Sequence, residues 1–193
     1  IRKELLTGNP LAALDLCNFT KEKPVILSVG GSSGSKVMND ALRTILPELL
    51  KDYQIIHLCG KGNLDDTLTD TKGYAQFEYA KSELRDMFAL ADIVISRAGA
   101  NAIFELLALR KPNILIPLSA NASRGDQILN ANSFKKQGFS YVLEEENLNS
   151  ETLLSAIADV RKNKQTYIDA MAKSTQLDSI ETIVRLIDET AKQ

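Results

Sequence analysis

Short apolar runs alternate with helix-like segments along most of this chain, and this alternation limits the folds that it can adopt. The apolar runs, mostly rich in Val and Ile, predict buried strands at 24–29, 54–58, 75–79, 92–96, 112–117 and 140–143. The segments between them carry apolar residues three and four positions apart and predict helices at 36–50, 82–90, 98–109 and 126–137. Strands that alternate with helices through short connections predict a Rossmann-like α/β fold, in which helices cover both faces of a parallel sheet.

The two ends of the chain do not follow this alternation. The stretch before the first strand reads as irregular, and its Gly8-Asn9-Pro10 sequence predicts a turn. After the last predicted strand the pattern is purely helical, and Asp178 with Glu181 resembles a capping box that would begin the final helix. We therefore expect one domain over residues 1–193, divided into an interdomain segment 1–23, a sheet-and-helix part 24–146 and C-terminal helices 147–193.

Composition excludes several classes of protein. The chain has 23 Lys and Arg residues against 25 Asp and Glu, and this balance argues against a dedicated nucleic-acid binder. Cys17 and Cys59 lie far apart, so they form neither a disulfide framework nor a zinc-binding spacing, and we expect a reducing compartment. No run approaches the ~18 apolar residues of a membrane helix. Because the chain starts at Ile1 and not at Met, we interpret it as part of a longer protein.

The chain has a single histidine, and this restricts the chemistry that it can perform alone. His57 lies within a predicted buried strand, where a structural role is expected. A Ser-His-Asp or Cys-His mechanism run by this chain alone is therefore disfavoured.

The loop after the first strand is a candidate binding site, because ligands bind at the carboxyl ends of parallel strands. Its sequence is Gly30-Gly31-Ser32-Ser33-Gly34-Ser35. Residues Gly31, Ser32 and Gly34 would let the backbone approach a phosphate group that also meets the N-terminus of the next helix. The spacing matches neither the dinucleotide fingerprint nor a Walker A loop. A strand–helix turn without a ligand remains the alternative.

A second loop at the same edge has the sequence Arg97-Ala98-Gly99-Ala100-Asn101. It opens the predicted helix that carries Glu105, and two helix N-termini facing one crevice could hold a pyrophosphate. The neighbours of Glu105 are almost all apolar, so its carboxylate needs a partner, for which the two hydroxyls of a ribose are suitable. A solvated helix charge is the alternative.

A third polar segment contains Asp126, Gln127 and Asn130 at the start of a predicted helix. Asp126 and Asn130 are four positions apart and share a helix face. Side chains of these types are typical of sites that bind sugar hydroxyls. Helix capping by Asp126 with solvated neighbours is the alternative.

Taken together, these motifs resemble the donor-binding half of the MurG-type glycosyltransferases. The resemblance rests on the runs Gly30–Gly34, Ser96–Ala100 with Glu105, and Gly125–Ala131, in this order and spacing. It implies a GT-B architecture of two Rossmann-like domains, of which this chain is the C-terminal one. The family transfers GlcNAc from UDP-GlcNAc to a lipid-linked muramyl pentapeptide, converting lipid I to lipid II in peptidoglycan synthesis. The residues Ile1–Leu5 resemble the end of the element that leads into the second domain of the family.

The resemblance also implies a role for each candidate residue in holding the donor. Arg2 would approach the uracil ring, Ala80 would contact the uracil edge through its backbone, and Glu105 would hold the ribose hydroxyls. The remaining candidates would contact the pyrophosphate and the sugar: Gly31, Ser32, Gly34, Arg97, Gly99, Ala100, Asn101, Asp126, Gln127 and Asn130. The family often has Gln-Gln or His-Gln where this chain has Asp126-Gln127, so the sequence departs from the pattern at Asp126.

The implied reaction is an inverting displacement that needs no metal and no cofactor other than the donor substrate. The resemblance implies that the general base, most of the acceptor site and a peripheral association with the cytoplasmic face of the bacterial membrane belong to the other domain. No catalytic residue and no nucleic-acid partner are expected in this chain. Two other classes remain open: a catalytic subunit that pairs with a separate membrane-anchored partner, and a non-enzymatic nucleotide-sugar-binding module.

Overall fold

A computed structural model describes residues 2–31, 33–120 and 125–175 of the chain. The expectations for Ile1, for Ser32 and for the helix that Asp178 and Glu181 would begin lie outside these residues. Six parallel strands form one sheet: β1 Val25–Val29, β2 Gln54–Leu58, β3 Tyr74–Phe77, β4 Ile93–Ser96, β5 Asn113–Leu115 and β6 Tyr141–Val142. Their order in the sheet is β3-β2-β1-β4-β5-β6, and this confirms the predicted Rossmann-like fold.

Helices connect and cover the strands. The described α-helices are α1 Pro10–Cys17, α2 Lys36–Asp52, α3 Glu83–Leu90, α4 Ala100–Ala108, α5 Asp126–Lys136, α6 Ser150–Lys162 and α7 Lys164–Ala172. Short 3-10 helices span Lys3–Thr7, Asp66–Leu68 and Glu145–Asn147. The elements predicted between residues 24 and 143 are all present, with ends within two residues of the prediction. The prediction of helices after the last strand is confirmed by α6 and α7 as far as residue 175.

The expectation of an irregular stretch before β1 is wrong. A 3-10 helix, Lys3–Thr7, and the α-helix α1 occupy most of it. The Asn9 side chain accepts a hydrogen bond from the Leu11 backbone amide at 3.0 Å, and Pro10 is the first helical residue. Asn at the N-cap followed by Pro is a helix-start signal, so the predicted turn is the cap of α1.

Two apolar layers, one on each face of the sheet, form the core. Successive residues of a strand point to opposite faces, so Leu27 and Ile56 join one layer while Ile26 and Ile55 join the other. The first layer packs against α3, α4 and α5, and the second packs against α2 and α6. Because both faces are covered, the central strands are apolar along almost their whole length.

His57 is a buried polar residue in the middle of this sheet. Its side chain is fully buried, with Nδ1 2.8 Å from the Tyr74 hydroxyl and Nε2 2.9 Å from Oδ1 of Asn39. Burial, assisted by the nearby positive charge of Arg43, lowers the pKa of His57 to about 3. Since the Asn39 oxygen can only accept, Nε2 carries the proton of a neutral ring. The prediction of a histidine in a buried strand is confirmed.

The two cysteines are free thiols, as their separation along the chain predicted. Both are buried, and burial raises the pKa of the Cys17 thiol to about 11. The described helices include none with the length and apolar character needed to cross a membrane.

The strand order creates one topological switch point. From β1 the chain proceeds through β2 to β3 on one side, and then crosses back to place β4 on the other side of β1. The loops that follow β1 and β4 therefore diverge from neighbouring strands, and a crevice opens between them at the carboxyl ends. This crevice is the place where a ligand of such a fold binds.

Candidate functional site

A cavity of about 820 Å³ opens at this switch point. Residues from the predicted loops line it: Arg2, Gly31, Gly34, Ala80, Arg97, Gly99, Ala100, Asn101 and Gln127. Glu78, Tyr79 and Leu118, which were not among the candidate residues, line it as well. Glu105, Asp126 and Asn130 do not line the cavity, and Ser32 lies outside the described residues. The fold therefore brings the three candidate segments together, although not every candidate residue in them lines the cavity.

The Gly-rich loop, residues 30–35, is shaped by a close approach to the end of β2. Gly34 has a φ of +75°, and a Cβ atom built on it would lie 2.0 Å from the carbonyl oxygen of Cys59. A residue with a side chain is therefore disfavoured at this position, because the positive φ is strained and because the Cβ atom would clash with the Cys59 carbonyl. Ser35 then caps α2 by accepting a hydrogen bond from the Met38 amide at 3.4 Å.

The N-terminus of α4 faces the same cavity. Gly99 is its N-cap and has no side chain with which to accept from the first-turn amides. Ala100 and Asn101, the first two residues of the helix, both line the cavity. Amides without intrahelical acceptors and the positive end of the helix dipole make this a favourable position for an anion.

Helix α5 connects two of the loops through its side chains. The Oε1 atom of Gln127 accepts from the backbone amides of Ala98 at 3.3 Å and Leu118 at 3.1 Å. Asn130 donates through Nδ2 to the carbonyl oxygen of Ala98 at 3.0 Å. Asp126 is exposed at the first position of the helix. Gln127 and Asn130 thus hold the loops around the cavity, while Asp126 is exposed and outside its lining.

Arg97 lies at the centre of a network within the protein. Its Nη1 donates to the carbonyl oxygens of Ile116 at 3.1 Å and Pro117 at 3.3 Å, and its Nη2 donates to Oγ of Ser35 at 2.6 Å. Nη2 also forms an ion pair with Glu145, and the Arg97 side chain is only 11% exposed. The guanidinium therefore joins the Gly-rich loop to the ends of β4 and β5.

Sequence reasoning missed Glu145, which completes this network. No motif surrounds the residue, but it lies just after β6 and hence at the carboxyl edge of the sheet. The principle that ligands bind at the carboxyl ends of parallel strands applies to the loop after β6 as well.

Glu105 is buried in α4 and paired with Arg2. Arg2 donates through Nε to Oε1 at 2.8 Å and through Nη2 to Oε2 at 2.9 Å, in the two-pronged arrangement that gives the strongest carboxylate contacts. This hydrogen bonding raises the pKa of Arg2 further above its ordinary value. The partner that the apolar helix required is therefore Arg2, the residue expected at the uracil ring. Within the described residues, no cluster of three or more acidic, His or Cys side chains could hold a metal ion.

These features define a class: a doubly wound α/β domain with a cavity at its switch point, beside a helix N-terminus that favours an anion. Residues 25–187 match the family described as the glycosyltransferase family 28 C-terminal domain. The match covers most of the chain, and the chain belongs to this family.

Two curated relatives show the extent of the similarity. The chain is 63% identical over 192 residues to a UDP-N-acetylglucosamine–N-acetylmuramyl-(pentapeptide) pyrophosphoryl-undecaprenol N-acetylglucosamine transferase of Lachnospira eligens, covering 100% of this chain and 54% of the relative. It is 60% identical over 189 residues to the protein of the same name in Lachnoclostridium phytofermentans, covering 98% of this chain and 53% of that protein. The chain therefore spans about half the length of the curated relatives it matches.

A solved structure has the same fold. The crystal structure of Acinetobacter baumannii MurG superimposes with a TM-score of 0.71 at 18% identity, over 94% of this chain and 54% of that one. The fold is that of the C-terminal half of a GT-B glycosyltransferase, as predicted.

Proposed function

We propose that this chain is the donor-binding domain of a glycosyltransferase that moves GlcNAc from UDP-GlcNAc to lipid-linked N-acetylmuramyl-pentapeptide, the step from lipid I to lipid II in peptidoglycan synthesis. The observation that carries the proposal is the convergence of the Gly-rich loop and the N-terminus of α4 on one cavity at the switch point. The similarity to proteins with this transferase name supports the choice of donor and acceptor. The cavity volume of about 820 Å³ falls within the range of small-molecule sites.

In this proposal the diphosphate of the donor lies between the Gly-rich loop and α4. The Ala100 and Asn101 amides would donate to it, and the dipole of α4 favours its negative charge. The uracil would lie toward Ala80, which lines the cavity beside the end of β3. Glu105 would accept from the ribose hydroxyls, and Gln127 would donate to the sugar through its amide NH2. Asp126 and Asn130 would supply the remaining polar groups on the sugar side, and Ser32 would add its hydroxyl at the phosphate.

The chemical task of this domain would be to stabilise the leaving group. When the acceptor hydroxyl attacks the anomeric carbon, the bond to UDP breaks and negative charge develops on the diphosphate. Amides and a helix dipole fixed in advance at that point lower the barrier because they interact more strongly with the transition state than with the bound donor. The proposed transfer inverts the anomeric centre and uses neither a metal nor a cofactor beyond the donor itself.

The general base of the proposed reaction would come from another domain of the full-length protein. His57, the one histidine of the chain, has both ring nitrogens engaged by Asn39 and Tyr74. That second domain would also carry the lipid-linked acceptor and the peripheral association with the cytoplasmic membrane face. The 1–23 segment, which includes Arg2, would connect the two domains.

Calorimetry with UDP-GlcNAc, UDP and ADP tests the proposal directly. We expect the chain to bind the two uridine ligands and to bind ADP more weakly. When it is alone, it should not transfer GlcNAc to a lipid-linked acceptor. Expression as part of a full-length protein should restore transfer. Absence of any uridine-nucleotide binding would contradict the proposed function.

A further inference from the structure

The Arg2–Glu105 ion pair covers the carboxylate that the donor site needs. Both carboxylate oxygens accept from the guanidinium, at 2.8 and 2.9 Å. The Glu105 side chain is 8% exposed and the Arg2 side chain is 49% exposed. Arg2 lines the cavity while Glu105 does not, so the residue that pairs with the carboxylate also borders the space where a ligand would bind.

A ribose and Arg2 would compete for the same two oxygens. A vicinal diol donates one hydroxyl to each oxygen of a carboxylate, and a guanidinium fork donates one N–H to each in the same way. Glu105, which is 8% exposed, is left without hydrogen-bond donors for its carboxylate if the guanidinium leaves without a replacement. A diol supplies such a replacement, because it restores one hydrogen bond to each oxygen at the moment the fork departs.

We propose that Arg2 occupies the ribose subsite and is exchanged for the two ribose hydroxyls when the nucleotide binds. This inference rests on the proposed function, since it takes Glu105 as the ribose-binding residue. The exchange lowers affinity for every ligand that displaces the fork, and a ligand without the two hydroxyls has no means of displacing it. Arg2 thereby keeps Glu105 paired until a ribonucleotide arrives.

The exchange predicts a selective effect of Arg2 on UDP relative to 2′,3′-dideoxy-UDP. The dideoxy compound carries the same base and diphosphate, so the contacts of those groups with the rest of the site are common to both ligands, and only UDP displaces the fork. In Arg2→Ala, UDP no longer displaces a fork, and we expect the UDP-to-dideoxy-UDP affinity ratio to rise by about fivefold, as for the loss of a half-exposed ion pair.

Arg85→Ala is a matched control for this experiment. Arg85 is 44% exposed, pairs with the carboxylate of Asp86 and is outside the lining of the cavity. Calorimetry on the whole chain should give the higher ratio in Arg2→Ala and the wild-type ratio in Arg85→Ala. Arg2→Lys, which keeps the charge and loses the fork, should raise the ratio less, and it provides the test if Arg2→Ala folds poorly.

The possible outcomes separate this inference from the function on which it rests. If the wild-type chain binds UDP but the ratio is unchanged or lower in the Arg2 variants, the exchange is wrong and the proposed function stands. If the wild-type chain binds neither ligand, both fail together. A ratio that rises in the Arg2 variants alone supports the exchange.

Discussion

Two arginines line the same cavity, and their surroundings are opposite. Arg97 is 11% exposed and contacts two carbonyl oxygens, a serine hydroxyl and the Glu145 carboxylate. Arg2 is 49% exposed, and within the described residues its side-chain hydrogen bonds all go to one residue, Glu105. Arg97 joins elements of the rigid scaffold, whereas Arg2 lies on the segment that precedes the sheet.

The difference shows which of the two arginine side chains can change its position when a ligand binds. Moving Arg97 would break contacts with several elements at once and leave Glu145 without its ion pair. Moving Arg2 breaks one ion pair, and a diol can replace both of its bonds. Residues of the same type at one site can therefore have different tasks: Arg97 positions the loops, and Arg2 is available for exchange.

The largest expected effect comes from removing the fixed arginine. Arg97→Ala leaves a mostly buried carboxylate at Glu145 and two carbonyl oxygens without their donor, so we expect a loss of about 3 kcal/mol in the free energy of unfolding. Urea denaturation measures it. Arg97→Lys keeps the charge without the planar fork and should lose less. A loss below about 1 kcal/mol in Arg97→Ala, the size expected of an exposed pair, would remove the distinction between the two arginines.

The second effect is the pH dependence of stability that results from the buried His57. Its pKa is about 3 in the folded chain and ~6.5 when unfolded, so the unfolded state binds more protons between these values. The contribution of His57 to the free energy of unfolding is therefore fully present above about pH 6.5. It decreases as the pH falls, by roughly 2 kcal/mol on reaching about pH 5. Urea denaturation at a series of pH values measures this slope.

His57→Gln is the control for this pH dependence. Glutamine can still donate to Asn39 and accept from Tyr74, but it does not titrate in this range. The variant should lose most of the slope between about pH 6.5 and pH 5. An unchanged slope would assign the acid sensitivity to other groups.

Much of the fold could be predicted from the sequence because its signals are local. The strands and helices between residues 24 and 143 follow from apolar runs and helical spacing, and the buried His57 follows from its strand. Helix α1 is not predicted because Gly8-Asn9-Pro10 is typical of a turn, although Asn9 followed by Pro10 also fits a helix start. β3 ends at Phe77, two residues before the predicted end. Beyond it the Glu78 carboxylate accepts from the Gly62 amide at 2.6 Å.

The candidate site was predictable in its location and not in its internal contacts. Loops after strands can be placed at one edge of the sheet from topology alone, and the cavity lies there. The partners of Arg2 and Arg97 could not be predicted in this way. Arg2 pairs with a residue 103 positions away, and the Ser35 hydroxyl that Arg97 contacts is 62 positions away. Such pairs depend on three-dimensional packing, which no local pattern encodes. The contacts of the candidate residues with a donor remain predictions.

The third effect concerns the carboxylate that Arg2 covers. Glu105→Ala removes the acceptor of both proposed ribose bonds, and we expect UDP affinity to fall by about tenfold or more. The free energy of unfolding should change by less than about 1 kcal/mol, because the lost partner is a half-exposed arginine. Calorimetry and urea denaturation on the same variant measure the two quantities. Unchanged UDP affinity would refute the ribose role of Glu105, and the exchange of Arg2 would fail with it.

The smallest expected effect concerns Gln127, whose side-chain oxygen contacts the protein and whose amide NH2 is proposed to contact the ligand. Oε1 of Gln127 accepts from the Ala98 and Leu118 amides, so it belongs to the scaffold, as Arg97 does. Its amide NH2 is the end proposed to donate to the sugar, as Arg2 is proposed to respond to the ribose. Gln127→Glu keeps the Oε1 acceptor and replaces the NH2 donor with a second, negatively charged oxygen.

We expect Gln127→Glu to leave UDP affinity close to that of the wild type and to weaken UDP-GlcNAc binding by about threefold, the size of one modest hydrogen bond. Calorimetry with the two ligands measures the difference. Gln127→Ala removes the scaffold bonds as well and should also lower the free energy of unfolding, by about 1 kcal/mol. If Gln127→Glu weakened UDP and UDP-GlcNAc equally, the change would act through loop position or added charge. The division of this side chain into a structural end and a ligand-binding end would then be wrong.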